Sequence, residues 1–169
     1  MRRIFFTSVF VIFILLSCVI YASQISFGSV GDNKRITMLP GETREFRVSF
    51  FNYGNDPLYV EVTVAGCDEV KCSITPRYFV LENRKSVDSP TGMEEWVALG
   101  NDYIKAVPVF IKIKVPRNIS EITKNYHVVK LVAKATTEKP TSSGIKEQIS
   151  QAREFYYAVT IPGNVNAKT

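Results

Sequence analysis

Along most of this chain, apolar and polar side chains change places at every step. Phe46, Val48 and Phe50 alternate with Glu45, Arg47 and Ser49, and Leu58, Val60, Val62 and Val64 with Tyr59, Glu61 and Thr63. Val109, Ile111, Ile113 and Val115 alternate with Phe110, Lys112 and Lys114. Phe155, Tyr157, Val159 and Ile161 do the same with Tyr156, Ala158 and Thr160. A period of two puts successive side chains on opposite faces of a β-strand, whereas a helix would repeat every 3.6 residues. Shorter strands are predicted over 24–30, 73–75, 77–81 and 95–99, with Pro76 marking an edge or a bend. Over 126–135 the apolar residues fall on both parities, which predicts either a central strand buried on both faces or a bulge.

Turn-forming residues separate these runs. Pro40-Gly41 and the segment Asn52 to Pro57 suit tight reversals, while 82–92 and 136–150 are polar loops. Seven or so short strands with no helix between them predict an all-β, antiparallel, two-sheet immunoglobulin-like sandwich over 24–163, followed by a polar tail, 164–169.

The amino terminus breaks the pattern. Arg2 and Arg3 precede an uncharged, mostly apolar run from Ile4 to Ile20, and polarity rises again after Ala22. Residues 1–22 therefore read either as a cleaved secretory signal or as an uncleaved membrane anchor, since the run is close to the roughly 18 residues that cross a bilayer. Leu15-Leu16-Ser17-Cys18 loosely resembles a lipoprotein box, but apolar Val19 and Ile20 follow the cysteine. Each reading predicts an extracytoplasmic domain, secreted or held at the outer face of the cytoplasmic membrane. Charge adds little to this picture. Without Arg2 and Arg3 the chain keeps 19 basic and 16 acidic residues, too balanced for nucleic-acid binding.

Chemistry-bearing residues are sparse. Cys67 and Cys72, an even pair in an exported chain, are expected to form a disulfide. Asn118-Ile119-Ser120 is a glycosylation sequon after Pro116. No catalytic residue, metal site or cofactor is predicted. His127, the sole histidine, is expected to be packed in or at the edge of a strand, and Trp96 to pack in the core or at an edge. Neighbouring acids such as Asp68-Glu69 are expected to be solvated. Tyr59, Phe110 and Tyr156 fall on the polar parity of their strands. With Lys112 and Lys114 they form a candidate binding patch if that face is open.

Several segments resemble a known group. Met38-Leu39-Pro40-Gly41-Glu42-Thr43 before a strand, then Phe51-Asn52-Tyr53-Gly54, then Pro57 to Val62, are similar to the opening of prokaryotic extracytoplasmic immunoglobulin-like domains. Ile74 to Leu81, Glu95-Trp96, and Ile113 to Pro116 followed by Tyr126 continue the likeness. The chain looks like the amino-terminal domain of WxL-interacting cell-surface proteins and, more distantly, the first domain of pilus-assembly chaperones. The resemblance implies a non-catalytic envelope protein acting through protein–protein contact with other surface proteins. Two alternatives stand beside it: a chaperone-like module working by strand addition, with Lys112 and Lys114 as edge charges, and an accessory domain binding cell-wall glycan. Contact with the membrane would come through the amino-terminal segment if it is retained.

Overall fold

The alternating runs become two facing sheets in the computed structural model, which describes residues 25–90, 95–138 and 150–163. The strands are β1 (Phe27–Val30), β2 (Lys34–Thr37), β3 (Thr43–Asn52), β4 (Leu58–Ala65), β5 (Lys71–Thr75), β6 (Tyr78–Leu81), β7 (Ser86–Val87), β8 (Trp96–Leu99), β9 (Asp102–Lys114), β10 (Tyr126–Thr136) and β11 (Ser150–Thr160). Among the described residues the one helical element is a 3-10 turn, Ile119–Glu121. Sheet I has the order β1-β3-β9-β5, with β7 and β8 added to β9; sheet II has the order β2-β11-β10-β4-β6. Neighbours are antiparallel, except that β2 runs parallel to β11. This is the all-β sandwich that the period of two predicts. The proposed leader, 1–22, and the tail, 164–169, lie outside the described residues.

The inward parities meet in one core. Val48, Val109, Ile111 and Ile113 of sheet I face Val129, Leu131 and Val159 of sheet II, all fully excluded from solvent. Each such side chain stabilises the fold by about 1.5–3 kcal/mol relative to exposure. Aromatic rings pack together in this core: Phe27 stacks on Phe50 at 5.4 Å, and Phe155 meets Phe50 edge-on at 6.1 Å. A smaller apolar cluster, Phe51, Val97, Ile104 and Ala106, lies on the outer side of sheet I where β8 flanks β9.

Both lateral openings are closed by chain that changes sheets. β1 pairs with β3 in sheet I, and after three residues β2 pairs with β11 in sheet II. Gly31 makes that crossing, and a Cβ there would sit 3.0 Å from both Val48 of sheet I and Phe155 of sheet II. On the other side β5 pairs with β9, and β6 then pairs with β4. Pro76 stands at that crossing, where the chain leaves one ladder and a missing N–H costs nothing. At the β3–β4 reversal the buried Asn52 amide donates to the carbonyls of Asp56 (2.7 Å) and Glu82 (3.1 Å), while its Oδ1 accepts from Gly54 N–H (2.8 Å).

Three strand expectations need correction. β2 and β7 are absent from the sequence reading, being short and largely exposed. β9 begins at Asp102, seven residues before its clean alternation; β7 and β8 pair with its first half, where Ile104 and Ala106 are buried on the opposite parity to Val109, Ile111 and Ile113. β10 is central, between β11 and β4, but its register is unbroken and Val128 is 41 % exposed. It is therefore neither bulged nor buried on both faces.

Gly66 ends β4 with φ +77°, and a Cβ there would lie 2.0 Å from the Val128 carbonyl oxygen, part of the backbone of β10. Gly66→Ala combines a disfavoured dihedral with a backbone clash. It is expected to destabilise the domain by about 2–4 kcal/mol, read as a lower urea midpoint at unchanged slope.

Candidate functional site

The predicted patch divides between two surfaces. Phe110, Lys112 and Lys114 alternate with core residues of β9, so they stand on the outer face of sheet I. Tyr59 on β4 and Tyr156 on β11 stand on the outer face of sheet II, which points the opposite way. Even within sheet II, Tyr156 is level with Lys130 and Tyr59 with Thr136 on β10, roughly 20 Å apart along the strand. The single patch is thus corrected to two faces, because alternation says whether a side chain points outward but not from which sheet. Lys112 and Lys114 are also not edge charges: β9 is flanked by β3 and β5.

The outer face of sheet II is rich in tyrosine. Tyr78, Val80, Tyr126, Val128 and Tyr156 are all substantially exposed there, with Tyr59 half-buried. Charged neighbours hold two of the rings. The Tyr78 hydroxyl donates to Glu61 Oε1 at 3.0 Å, which raises its pKa. The Tyr156 hydroxyl donates to Glu154 Oε2 at 2.5 Å, and Lys130 Nζ lies 2.7 Å from Glu154 Oε1 and 5.6 Å from the centre of the Tyr156 ring. The hydrogen bonds from Lys130 and then Tyr156 hold the Glu154 carboxyl below its ordinary range.

The outer face of sheet I is basic. Lys71, Lys112, Lys114 and Arg47 share this face with Phe110, with Glu45 as the acid among them, 3.4 Å from Lys112 Nζ. A shallow cavity of about 250 Å³ is lined by Glu45, Ser73, Thr75, Phe110 and Lys112.

Cys67 and Cys72 are disulfide-bonded, with Cα atoms 6.0 Å apart. The bond spans the passage from β4 in sheet II to β5 in sheet I, so it staples the two sheets at one corner. Inside this loop Glu69 is not the solvated acid that sequence suggests. Its carboxylate accepts from the Thr123 hydroxyl, from Thr123 N–H (2.9 Å) and from Lys124 N–H (3.3 Å). His127 Nε2 donates to the Lys124 carbonyl at 2.8 Å and lies 3.6 Å from Glu69 Oε2. The histidine is packed, 9 % exposed, as a strand histidine should be. Nothing local in sequence links Glu69 to Thr123, 54 residues away. Asn118 is exposed, and its Oδ1 accepts from Ser120 N–H at 3.2 Å. Trp96 is half-buried on β8, beside Val97 and Ala98 in a groove of about 630 Å³ that also contains Arg47, Phe46 and Tyr157. Among the described residues no three His, Cys, Asp or Glu side chains cluster as metal ligands would.

No protein-family model and no curated protein matches the chain in sequence. Solved structures do match in shape. The ASH/PapD-like domain of human CEP192 (PapD-like domain 7) aligns at 14 % identity and TM-score 0.50, covering 82 % of this chain and 86 % of that one. The fold is an immunoglobulin-like β-sandwich, as in that domain. A Salmonella enterica complex of the SafA pilin with the SafB chaperone aligns at 14 % identity and TM-score 0.47, over 82 % of this chain and 55 % of that one. The Caenorhabditis elegans MSP-domain-like protein SSP-19 aligns at 10 % and 0.43, over 75 % and 94 %. This chain therefore spans about half of the chaperone-complex chain.

The Glu69 clamp predicts a pH dependence. The Thr123 hydroxyl, then the Thr123 and Lys124 N–H groups, hold its carboxyl below the ordinary 4.5. A depressed carboxylate stabilises the fold above its unfolded-state pKa and loses that contribution as pH falls through the folded value. Glu69→Gln should therefore be less stable than the parent at pH 7, with the gap narrowing below about pH 4. Urea denaturation at both pH values measures this. A gap independent of pH would remove the carboxylate's charge from the account.

Proposed function

We propose that this is a non-catalytic protein of the cell envelope, exported by residues 1–22, that works by protein–protein contact through the outer face of sheet II. The observation that carries the reading is that Tyr126, Val128 and Tyr156 stand exposed together towards one end of this face, with Tyr78 and Val80 exposed towards the other. Tyrosine offers a broad apolar ring with a polar tip and loses little entropy on ordering, which suits a contact surface that must also stay soluble. The Cys67–Cys72 bond supports an oxidising compartment. The sole histidine, engaged with the Lys124 carbonyl, supports binding rather than catalysis. The finer kinship, with the amino-terminal domain of WxL-interacting proteins, rests on the Pro40-Gly41-Glu42 and Asn52-Tyr53-Gly54 segments and belongs to this proposal.

A second reading, strand addition, is favoured by one feature. β2 covers Tyr157–Thr160 of β11, and among the described residues only β10 pairs with it over Ser150–Glu154. Side chains of β11 instead hold β1 there: Gln151 Oε1 accepts from Phe27 N–H (3.1 Å), and Arg153 donates to the Phe27 carbonyl (2.8 Å).

Photo-crosslinking in the producing cell separates the readings. A benzophenone side chain in place of Tyr126 or Tyr156 is expected to give discrete protein adducts. The same group in place of Tyr53, exposed on the β3–β4 turn, should give none. Adducts confined to positions 151–153 would favour strand addition. Equal labelling from position 53, or no adduct from the tyrosine face, would end the main proposal.

A further inference from the structure

The opposite face carries a different chemistry. On the outer side of sheet I the ladder register sets out three rows: Lys71–Lys114–Thr43, Ser73–Lys112–Glu45 and Thr75–Phe110–Arg47. All nine side chains are exposed. Rows repeat about every 6.6 Å along the strands, and neighbours within a row lie about 5 Å apart. Four cations, one acid and three hydroxyls thus share one face with a phenyl ring, which stands at its end, about 13 Å along the strand from the lysine pair.

The first row is an electrostatic anomaly. Lys71 and Lys114 stand directly opposite each other, and like charges in that relation destabilise a sheet. Neither has an ion-pair partner among the described residues, whereas Lys112 has Glu45. Protection of an exposed strand edge would account for Lys71 on β5, but not for Lys114, which lies on a central strand. An anion bridging the two ammonium groups would turn the repulsion into attraction. The disulfide fixes this register, since Cys72 sits beside Lys71 and is bonded back to the end of β4.

The geometry points to this face as a binding site for an acidic linear polysaccharide, one with a carboxylate on its sugar rings. Charge complementarity requires the anion. The ring of Phe110, 37 % exposed beside the shallow cavity, supplies an apolar platform for the C–H face of a sugar. Ser73, Thr75 and Thr43 supply hydroxyls that both donate and accept, matching sugar hydroxyls. A plain polyanion would use the lysines and leave Phe110 idle. This inference goes beyond the protein contact assigned to sheet II, and the two can fail separately.

The test uses the exported protein with its disulfide intact and polygalacturonate as the probe, followed by calorimetry at about 50 and about 300 mM salt. Binding is expected at low salt and should weaken as salt rises. Fully methyl-esterified polygalacturonate, which keeps the rings and loses the charge, should not bind. Lys71→Gln with Lys114→Gln should weaken binding at least about tenfold, and Phe110→Ser should weaken it as well. Because the lysines repel each other, the double variant should unfold at an unchanged or higher urea midpoint, which separates lost binding from lost folding. Unchanged affinity in the double variant would overturn the inference. So would polyphosphate binding as well as polygalacturonate with no effect of Phe110→Ser, which would leave a merely electrostatic face. Capture by phosphatidylglycerol-rich vesicles without polygalacturonate binding would assign the face to a membrane surface instead.

Discussion

The fold depends on closing the two sides of the sandwich. Facing sheets bury their alternate side chains readily, but each sheet ends in unpaired backbone, and the core between them would be open laterally. Here a single stretch of chain seals each side by pairing first with one sheet and then with the other, β1 into β2 and β5 into β6. Both passages impose local chemistry. Gly31 lets the backbone slide between Val48 and Phe155, and Pro76 marks the point where ladder pairing is surrendered. The outermost strands β1, β2, β5 and β6 are short, four or five residues each, which limits their use as templates for uncontrolled association.

How much of this could be read from sequence follows from burial. Strands with one covered face alternate cleanly, so β3, β4, β11 and the second half of β9 are visible as period-two runs. β2 reads Lys-Arg-Ile-Thr and is mostly exposed; it exists because β11 offers it a ladder, not because its side chains need a core. In the first half of β9 the outward Ile104 and Ala106 are buried with Phe51 and with Val97 of the neighbouring β8, so its apolar residues no longer mark one face. Val128 and Val132 misled in the other direction, being apolar residues on an outward parity.

The candidate site failed in sequence for a related reason. Parity sorts Tyr59, Phe110, Lys112, Lys114 and Tyr156 correctly as outward-facing, yet β9 belongs to one sheet and β4 and β11 to the other, so outward means two opposite directions. Lys71 was missed because only the ladder sets it opposite Lys114. Glu69 was missed because its partners are brought to it by the end of a loop 54 residues downstream. Local pattern carries the fold class; contacts between distant strands carry the site.

One corner ties these threads together. Between β4 and β5 the chain passes from sheet II to sheet I within five residues, through Gly66, the disulfide loop and Glu69. Gly66 lets the chain turn against the backbone of β10, the Cys67–Cys72 bond restricts where β5 can begin, and Glu69 pins the loop to the start of β10. A shift of one residue in β5 would turn Lys71 inward and bring Cys72 out, exchanging a charged face for a broken core. The contacts that close the sandwich at this corner therefore also hold two lysines in a position that the sheet alone would not favour. Contacts made in the loop thus offset repulsion on the face, because the crossing that delivers Lys71 is held by a disulfide and by the Glu69 clamp.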